Sequence, residues 1–345
     1  MLIYVILLTL PIVADILLLY QIVQEIKLKR SVRGDFRGKA SIIVPVRGVD
    51  INADNNVKSL LSQNYEDYEV IYVVDDLRDP IVDVLKEHNV KIVVSEETCS
   101  QCSGKIRAQL TGLKYAKGDI IVFADSDTYY PKNWLRELVS PLSNYVATTV
   151  FSWPKPYRLT IKNLIRAGFW TFGFESQAIG GTFLWGGSMA FRRDFFTEDV
   201  IEELKTQWCD DCTLSRLAKE RGKIGFVFNA MPLNVFDEKD LLRWTKRQIL
   251  TVRIYSNKGY KGFLIVAFFF SLFILSFFLT HNVFFLTPML IWIIKNLIRG
   301  SFTIGITSSI IPSIMSVPAI FFTLAIAILA YKEKYIFWRG KVYKL

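Results

Sequence analysis

The stretch that decides the fold is residues 118–131, GDIIVFADSDTYYP. A continuous apolar run, Ile120 to Ala124, ends abruptly in Asp125, Ser126 and Asp127. Short apolar runs bounded by turn residues are typical of buried strands in a mostly parallel sheet. Two carboxylates at the end of such a strand repel each other unless a cation or a donor-rich ligand lies between them. The stretch therefore predicts a strand that ends at a binding site; the alternative is a solvated turn, where Asp is common.

Three similar strands precede this one, and helical patterns lie between them. The predicted strands are Ser41 to Val46, Glu69 to Val74, Lys91 to Val94 and Asp119 to Ala124, and the predicted helices are Asp54 to Gln63, Pro80 to His88 and Gly104 to Ala116. This alternation indicates βαβ units. Ligands of such sheets bind at the carboxyl ends of the strands. Asp75 and Asp76 also follow a strand, so we expect both acidic pairs at one edge of the sheet.

The composition indicates a soluble domain joined to membrane segments. Of 345 residues, 51% are hydrophobic and 21% are charged, and the mean hydropathy is +0.28. This is too apolar for an ordinary soluble protein and too charged for a membrane bundle alone. The formal net charge is +10. Because the basic residues cluster beside apolar runs, we expect a membrane as partner and no nucleic acid.

Apolar segments lie at both ends of the chain. Residues 1–24 are long enough for an N-terminal transmembrane helix, and the basic residues after it place the soluble domain in the cytosol. Residues 262–331 form a C-terminal transmembrane region, and 332–345 a basic cytosolic tail. Lys295 and Arg299 lie on the inner side after three spans, so a fourth full span would put the tail outside. We therefore expect either a re-entrant hairpin bent at Pro312 and Pro318 or a different number of spans.

Further motifs have both a functional and a plain structural interpretation. Lys105, at a helix start, could offer an ammonium to a phosphate or be a surface lysine. Asp210 and Asp211 open a helix, where the helix dipole alone favours carboxylates. Residues 243–246, RWTK, lie on a basic amphipathic helix that suits a membrane surface, a phosphate clamp or both. The helix predicted at about Thr160 to Ile179 could lie in the membrane interface or pack as an ordinary amphipathic helix.

The acidic motif at 125–127 has the chemistry of a hard-cation site. Mg²⁺ and Mn²⁺ prefer carboxylate oxygens and usually share them with substrate phosphates. Asp125 and Asp127 are therefore candidate ligands of a metal-bound diphosphate.

All four cysteines fall in two CxxC pairs, Cys99/Cys102 and Cys209/Cys212. That spacing is a metal or redox signal. Three alternatives stay open. A structural Zn²⁺ could tie the loop before Lys105 to the helix of Asp211. Disulfides could do the same, although a cytosolic domain disfavours them outside hyperthermophiles. The thiols could also be free and buried.

In this order, the motifs resemble the membrane-bound glycosyltransferase family 2 proteins, most closely those that are ceramide glucosyltransferase-like. The matching segments are Ser41 to Asp50, Asn64 to Val70, Asp79–Pro80, Gly187 to Asp194, Asp210–Asp211, Arg221–Gly222, residues 243–246, Trp338–Arg339–Gly340 and Tyr343. The resemblance covers about Ser41 to Tyr260 and the tail. It implies an α/β GT-A fold, a nucleotide-diphospho-sugar transferase with a Rossmann-like mixed sheet, at residues 39–235. N- and C-terminal transmembrane helices flank this domain, with residues 236–261 as an interface helix carrying the Arg-Trp motif.

The resemblance also implies an activity and assigns roles. It implies an inverting hexosyltransferase that uses a nucleotide-diphosphate sugar such as UDP-glucose, needs Mn²⁺ or Mg²⁺, and acts on a lipid acceptor at the cytosolic face of the cell membrane. It implies that Asp211 is the general base. The implied donor-side residues are Pro45, Asp75, Asp76, Lys105, Asp125, Ser126, Arg243 and Trp244. The implied acceptor-side residues are Asp210 and Gly187, and the implied metal ligands are Asp127 and Asp125, with Asp127 the more direct.

One position departs from the family. Asp240 stands three residues before Arg243, where the family often has Gln or Arg. An acid beside a diphosphate would repel it, so we expect Asp240 to face away or to pair with a base. The departure weakens one alternative, a processive polysaccharide synthase, where Gln is usual. The other alternative, an inactive membrane scaffold of the same fold, is disfavoured by the intact acidic set Asp75, Asp125, Asp127 and Asp211.

Overall fold

The computed structural model describes residues 2–99, 101–178, 182–302, 304–338 and 341–344. Arg339 and Gly340 of the predicted tail motif lie outside the described residues. The chain divides into two compact units. The helical unit comprises Met1–Lys27, Pro154–Ile179 and Asp237–Leu345, and the sheet unit comprises Leu28–Trp153 and Gly180–Phe236.

The secondary structure alternates strands and helices up to residue 236 and is mostly helical after it. The strands are β1 (Ala40–Pro45), β2 (Tyr68–Val74), β3 (Lys91–Val94), β4 (Ile120–Ala124), β5 (Thr128–Tyr129), β6 (Ala147–Thr149), β7 (Trp153–Pro156), β8 (Ser188–Arg192), β9 (Ile224–Phe226), β10 (Leu233–Phe236), β11 (Tyr335–Trp338) and β12 (Lys341–Lys344). The helices are α1 (Leu2–Ser31), α2 (Ala53–Leu61), α3 (Ile81–Glu87), α4 (Gly104–Tyr115), α5 (Trp134–Val139), α6 (Ile161–Trp170), α7 (Gly173–Ala178), α8 (Glu198–Lys205), α9 (Asp210–Arg221), α10 (Leu241–Tyr255), α11 (Asn257–Thr280), α12 (Thr287–Ser301) and α13 (Ile306–Leu329).

The sheet unit is built on a seven-stranded mixed sheet in the order β3-β2-β1-β4-β8-β6-β9. The first four strands in this order are parallel, while β8 runs antiparallel to both β4 and β6. The four predicted strands are confirmed to within two residues. Because β1 to β4 are parallel, their carboxyl ends lie at one edge, where Asp75, Asp76 and Asp125 follow their strands.

The centre of this sheet is buried because both of its faces are covered. All five residues of β4 are buried, as are Ile42, Ile43 and Val44 of β1. Fully burying an aliphatic side chain of this size contributes about 1.5–3 kcal/mol. The sheet is thus a rigid support for the loops at its carboxyl edge.

The helical unit contains helices long and apolar enough to cross a membrane. Within the described residues, the four candidate spans are Leu7–Arg30, Asn257–Thr280, Val283–Ser301 and Ile306–Leu329. The expectation of a re-entrant hairpin is wrong, because α13 runs without interruption through Pro312 and Pro318. In apolar surroundings a helix keeps its own hydrogen bonds, and packed neighbours tolerate prolines within it.

Two cations of α12 are buried in an ion-pair network. Arg299 Nε lies 2.7 Å from Glu25 Oε2, and its Nη1 lies 2.5 Å from Glu175 Oε1. Lys295 Nζ lies 2.6 Å from Glu175 Oε2. Burial raises the pKa of Glu175, but the cations of Arg299 and Lys295 outweigh burial and lower it to about 2. Lys295 and Arg299 are therefore buried within the helical unit.

The amphipathic segment predicted as one helix from about Thr160 to Ile179 forms two helices instead. Helix α6 ends at Trp170 and α7 begins at Gly173. The hydroxyl of Thr171 donates to the carbonyl of Gly168 at 2.8 Å. Such local side-chain bonds compete with a continuing helix.

Candidate active site

The centre of the site is the ammonium of Lys105, in the first turn of α4. Its Nζ lies 2.7 Å from Asp125 Oδ1 and 3.2 Å from Asp210 Oδ2. It also donates to the carbonyl of Gly186 at 3.2 Å. Burial lowers the pKa of Lys105, but the carboxylates of Asp125, Asp210 and Asp211 outweigh burial and raise it above its usual range. Lys105 therefore stays charged and links β4 to α9.

Asp210 and Asp211 occupy the first turn of α9 and face different partners. Asp210 accepts from Gln109 Nε2 at 2.8 Å and is nearly fully buried. Asp211 Oδ2 accepts from the backbone N–H of Gly186 at 3.1 Å. Burial, reinforced by the charge of Asp210, raises the pKa of Asp211 to about 7. A carboxyl that titrates near neutral pH is suited to general-base catalysis.

The turn at Gly186 and Gly187 requires glycine because charged groups approach its backbone closely. A Cβ on Gly186 would lie 2.8 Å from Lys105 Nζ and 3.1 Å from Asp210 Oδ2. A Cβ on Gly187 would lie 2.6 Å from Asp125 Oδ2 and 2.4 Å from the ring of Trp185. The turn therefore forms one wall of the charged cluster.

The turn after β4 is held in place by side chains from the neighbouring loop and helix. Ser126 Oγ donates to Asp50 Oδ2 at 2.7 Å, and Asn56 Nδ2 donates to the Ser126 carbonyl at 2.9 Å. Thr128 Oγ1 donates to Asp127 Oδ1 at 3.2 Å. Burial raises the pKa of Asp125, and the charge of Asp127 adds to this effect. A hard divalent cation would relieve this repulsion, so the donor set fits Mn²⁺ or Mg²⁺.

The first acidic pair lines a separate cleft of about 480 Å³ at the ends of β1 and β2. Asp75 Oδ1 lies 2.5 Å from Arg107 Nη2, and Asp76 accepts from Arg78 Nε at 3.0 Å. The remaining lining residues are Arg47 and Asp79. Pro45 ends β1, opposite Val73 of β2. A larger cavity of about 1010 Å³, lined by residues 32–39 and 63–67 among others, contains none of the predicted site residues.

Arg243 and Trp244 belong to the helical unit, on α10. The ring of Trp244 packs against Phe169 at 5.0 Å, and the guanidinium of Arg166 lies 4.8 Å from its centre. Asp240 caps α10 by accepting from the Arg243 N–H, and its carboxylate lies 3.2 Å from Arg243 Nε. The expectation that Asp240 pairs with a base is confirmed.

Each CxxC pair closes on itself. The structure joins Cys99 to Cys102 and Cys209 to Cys212 as disulfides. Neither disulfide ties the loop before Lys105 to α9, which was one of the predicted alternatives. The second pair encloses Asp210 and Asp211, and Cys209 Sγ lies 3.2 Å from Asp211 Oδ1.

The structure thus brings together Lys105, Asp125, Asp210, Asp211 and Gly187, and it places Asp75 and Asp76 together in the neighbouring cleft. Three contributors were missed: Gln109, Gly186 and Arg107. Gln109 lies one turn after Lys105 on α4, so helical spacing could have revealed it. The partners of Gly186 and Arg107 depend on how distant segments meet, which no local pattern shows.

Comparisons with known proteins point to one family. The model of Glycosyl transferase family 21 matches residues 6–345. The poly(ribitol-phosphate) beta-glucosyltransferase of Bacillus spizizenii is 35% identical over 96 residues, which are 26% of this chain and 15% of that protein. The UDP-Glc:alpha-D-GlcNAc-diphosphoundecaprenol beta-1,3-glucosyltransferase WfgD of Escherichia coli is 30% identical over 103 residues, which are 29% of this chain and 39% of that protein. The chain thus spans less than half of either relative.

A solved structure shows the same fold. The mannosyltransferase PcManGT from Pyrobaculum calidifontis, in complex with GDP-Man and Mn²⁺, superposes with a TM-score of 0.50 at 16% identity. The match covers 95% of this chain and 100% of that one. The predicted GT-A fold, with membrane-capable helices at both ends, is confirmed.

Proposed function

Because the chain belongs to glycosyltransferase family 21, we propose that it transfers a hexose from a UDP-sugar to a lipid acceptor, with inversion at the anomeric carbon. The predicted membership of a glycosyltransferase family agrees with the match to family 21. The membrane-bound and ceramide glucosyltransferase-like parts of that prediction belong to this proposal. The observation that carries the proposal is the cluster around Lys105, in which burial raises the pKa of Asp211 to about 7 beside a carboxylate set suited to a metal diphosphate.

In this mechanism Asp211 takes the proton of the acceptor hydroxyl as that oxygen attacks the sugar. A hydroxyl is a poor nucleophile, and a positioned base typically contributes 10²–10⁴-fold to the rate. The N–H of Gly186 holds the Asp211 carboxylate through Oδ2. A single displacement with one base gives inversion. We assign Asp210 and Gly187 to the acceptor side of the same cluster.

On the donor side, Asp127 and Asp125 would hold Mn²⁺ or Mg²⁺. The metal, when bound, neutralises the charge that grows on the departing diphosphate. Lys105 supplies a fixed positive charge beside Asp125 and acts on the same leaving group. Asp75 and Asp76 contact the nucleoside from the cleft they line, next to Pro45, and Ser126 adds a further donor contact. The donor-side role of Arg243 and Trp244 stays a prediction.

The lipid acceptor and the membrane location are supported by composition and by one relative. In the part of the chain that the structure describes, four helices are long and apolar enough to cross a bilayer. The name of the E. coli relative states a diphosphoundecaprenol acceptor and a UDP-Glc donor. We propose that the sheet unit faces the cytosol at the cell membrane, because basic residues follow α1.

The test is nucleotide release and thermal stabilisation of the purified protein with a panel of UDP- and GDP-sugars, Mn²⁺ present, with and without a lipid extract. We expect one UDP-sugar to stabilise the protein and release of UDP to require lipid. Stabilisation by a GDP-sugar alone would show that the proposed UDP-sugar donor is wrong. If no nucleotide sugar binds, the proposed transferase activity is contradicted.

A variant separates the role of the base from that of the donor site. Asp211→Asn should abolish transfer and leave donor binding nearly intact, because Asp211 acts on the acceptor. Glu220→Gln, an exposed acid on the same helix, is the matched control and should keep activity. Loss of donor binding in Asp211→Asn would show that the assigned role is wrong.

Structural zinc at Cys99, Cys102, Cys209 and Cys212 stays a prediction. Thiolates bind zinc only when they are not joined as disulfides. Metal analysis of protein purified under reducing conditions tests it, with one zinc per chain as the supporting result and no zinc as the contradicting one.

A further inference from the structure

The two turns that form the site are joined by one buried hydroxyl. Tyr130 OH accepts from the backbone N–H of Asp125 at 2.8 Å and donates to the carbonyl of Gly187 at 2.7 Å. Asp125 belongs to the carboxylate turn after β4, and Gly187 belongs to the turn that holds Lys105 and Asp211 through Gly186. A hydroxyl has one proton and two lone pairs, so it can make both bonds at once.

The rest of Tyr130 is fixed, so the position of the hydroxyl is fixed as well. Its backbone N–H donates to Ser59 Oγ at 3.0 Å. Its ring lies 4.2 Å from the ring of Trp134, whose indole N–H donates to Ser188 Oγ at 2.7 Å. The side chain is 1% exposed.

We propose that Tyr130 is a positioning residue that sets the spacing between the metal-binding carboxylates and the turn that holds the base. Its hydroxyl fixes the Asp125 backbone relative to the Gly187 backbone, and through them the distance between the two halves of the site. This inference rests on the proposed function for its kinetic consequence, but its structural content does not depend on that function.

The chain offers a matched pair of variants for the test. Tyr130→Phe removes only the bridging oxygen and keeps the ring on Trp134. Tyr129→Phe makes the same change on the preceding residue, whose side chain is 38% exposed. Because small displacements of reacting groups can cost about 10²-fold in rate, we expect Tyr130→Phe to lower kcat about 10- to 100-fold with less than about a threefold change in the KM of the donor. Tyr129→Phe should match the wild type.

Amide hydrogen exchange of the protein without donor or metal gives a readout that needs no activity. Tyr130→Phe should speed exchange at the Asp125 amide and in the 185–188 turn, and leave β1 and α4 unchanged. Exchange like that of the wild type in both turns would overturn the proposal. Faster exchange throughout the sheet unit would also overturn it, because that result means a general packing role. If the wild type transfers no sugar from any donor, the proposed function fails while the exchange result still decides the role of Tyr130.

Discussion

At the scale of single residues, the chemistry depends on how two neighbouring aspartates share one environment. Asp210 is paired with Lys105 and Gln109, whereas Asp211 accepts one backbone bond and is left with a raised pKa. The charge of the first aspartate is one cause of the raised pKa of the second. One carboxylate therefore tunes the other, which is a common way to bring an acid near neutral pH.

This tuning predicts the pH dependence of activity. Below a pH of about 7 Asp211 is protonated and cannot accept a proton, so kcat/KM should fall about tenfold per pH unit on the acid side. Asp210→Asn removes a charge that raises the pKa, so the acid limb should move to lower pH. Glu220→Gln is the control, with an unchanged profile. If the acid limb of the profile does not move in Asp210→Asn, the group that causes this limb is not Asp211.

The ionisation of Asp211 should raise activity as pH rises, but it should lower the free energy of unfolding. Because the folded state raises the pKa of Asp211 above its ordinary value, ionisation is less favourable in the folded than in the unfolded chain. Its contribution to the free energy of unfolding should therefore decrease as pH rises from about 4 to about 7.

A second prediction at the scale of residues concerns Asp125 and Asp127, the proposed metal ligands. Chelation with EDTA should stop transfer, and added Mn²⁺ or Mg²⁺ should restore it. Asp127→Asn should raise the Mn²⁺ concentration for half-maximal activity at least about tenfold, since even the loss of outer-shell partners costs that much. Asp67→Asn, an exposed acid that pairs with Lys39, is the control. Undiminished turnover after chelation would remove the metal role of Asp125 and Asp127.

At the scale of elements, some features follow from local sequence and others do not. Continuous apolar runs predicted β1 to β4 and the intervening helices because both faces of that part of the sheet are buried. The strands β5, β6, β7, β9, β10, β11 and β12, of two to four residues each, were not predicted. The strand β3 is as short, but it continues the alternation of strands and helices that β1 and β2 begin. The break between α6 and α7 lies at Thr171, whose hydroxyl donates to the carbonyl of Gly168, and no periodic pattern marks it. Asp75, Asp125 and Asp211 were predicted as site residues from strand and helix ends together with the resemblance. That Gly186 bonds to Asp211 could be seen only in the folded chain.

A prediction at the scale of elements concerns Gly186, in the turn before β8. Gly186→Ala places a methyl group 2.8 Å from Lys105 Nζ, so Lys105 must move away from Asp125. We expect activity to fall about 100-fold, while the free energy of unfolding drops by only about 1–3 kcal/mol, as for other overpacked sites. Gly262→Ala, where a Cβ meets open space, should keep full activity. Equal activity of the two variants would show that the close approach at Gly186 is unimportant.

At the scale of the whole molecule, stability depends on charges that are distant in sequence. Arg299 is fully buried between Glu25 and Glu175. Arg299→Met leaves the buried carboxylate of Glu25 without this partner, which should cost about 3–5 kcal/mol and lower the melting temperature in detergent. Arg216→Gln, in a half-exposed pair, should cost less than about 1 kcal/mol. Similar melting of the two variants would contradict a structural role for the buried pair.

The buried pair of Arg299 and Glu25 also has a consequence for biosynthesis. The two residues are 274 positions apart, so at 5–20 residues per second the ribosome adds Arg299 roughly 15–55 s after Glu25. Until then, α1 reaches the bilayer with a carboxyl group that lacks this partner, which is costly in a membrane. In a nascent chain truncated before α12, α1 should therefore lie differently in the membrane than in the finished protein. The insertion of α1 would be complete only once α12 has been made.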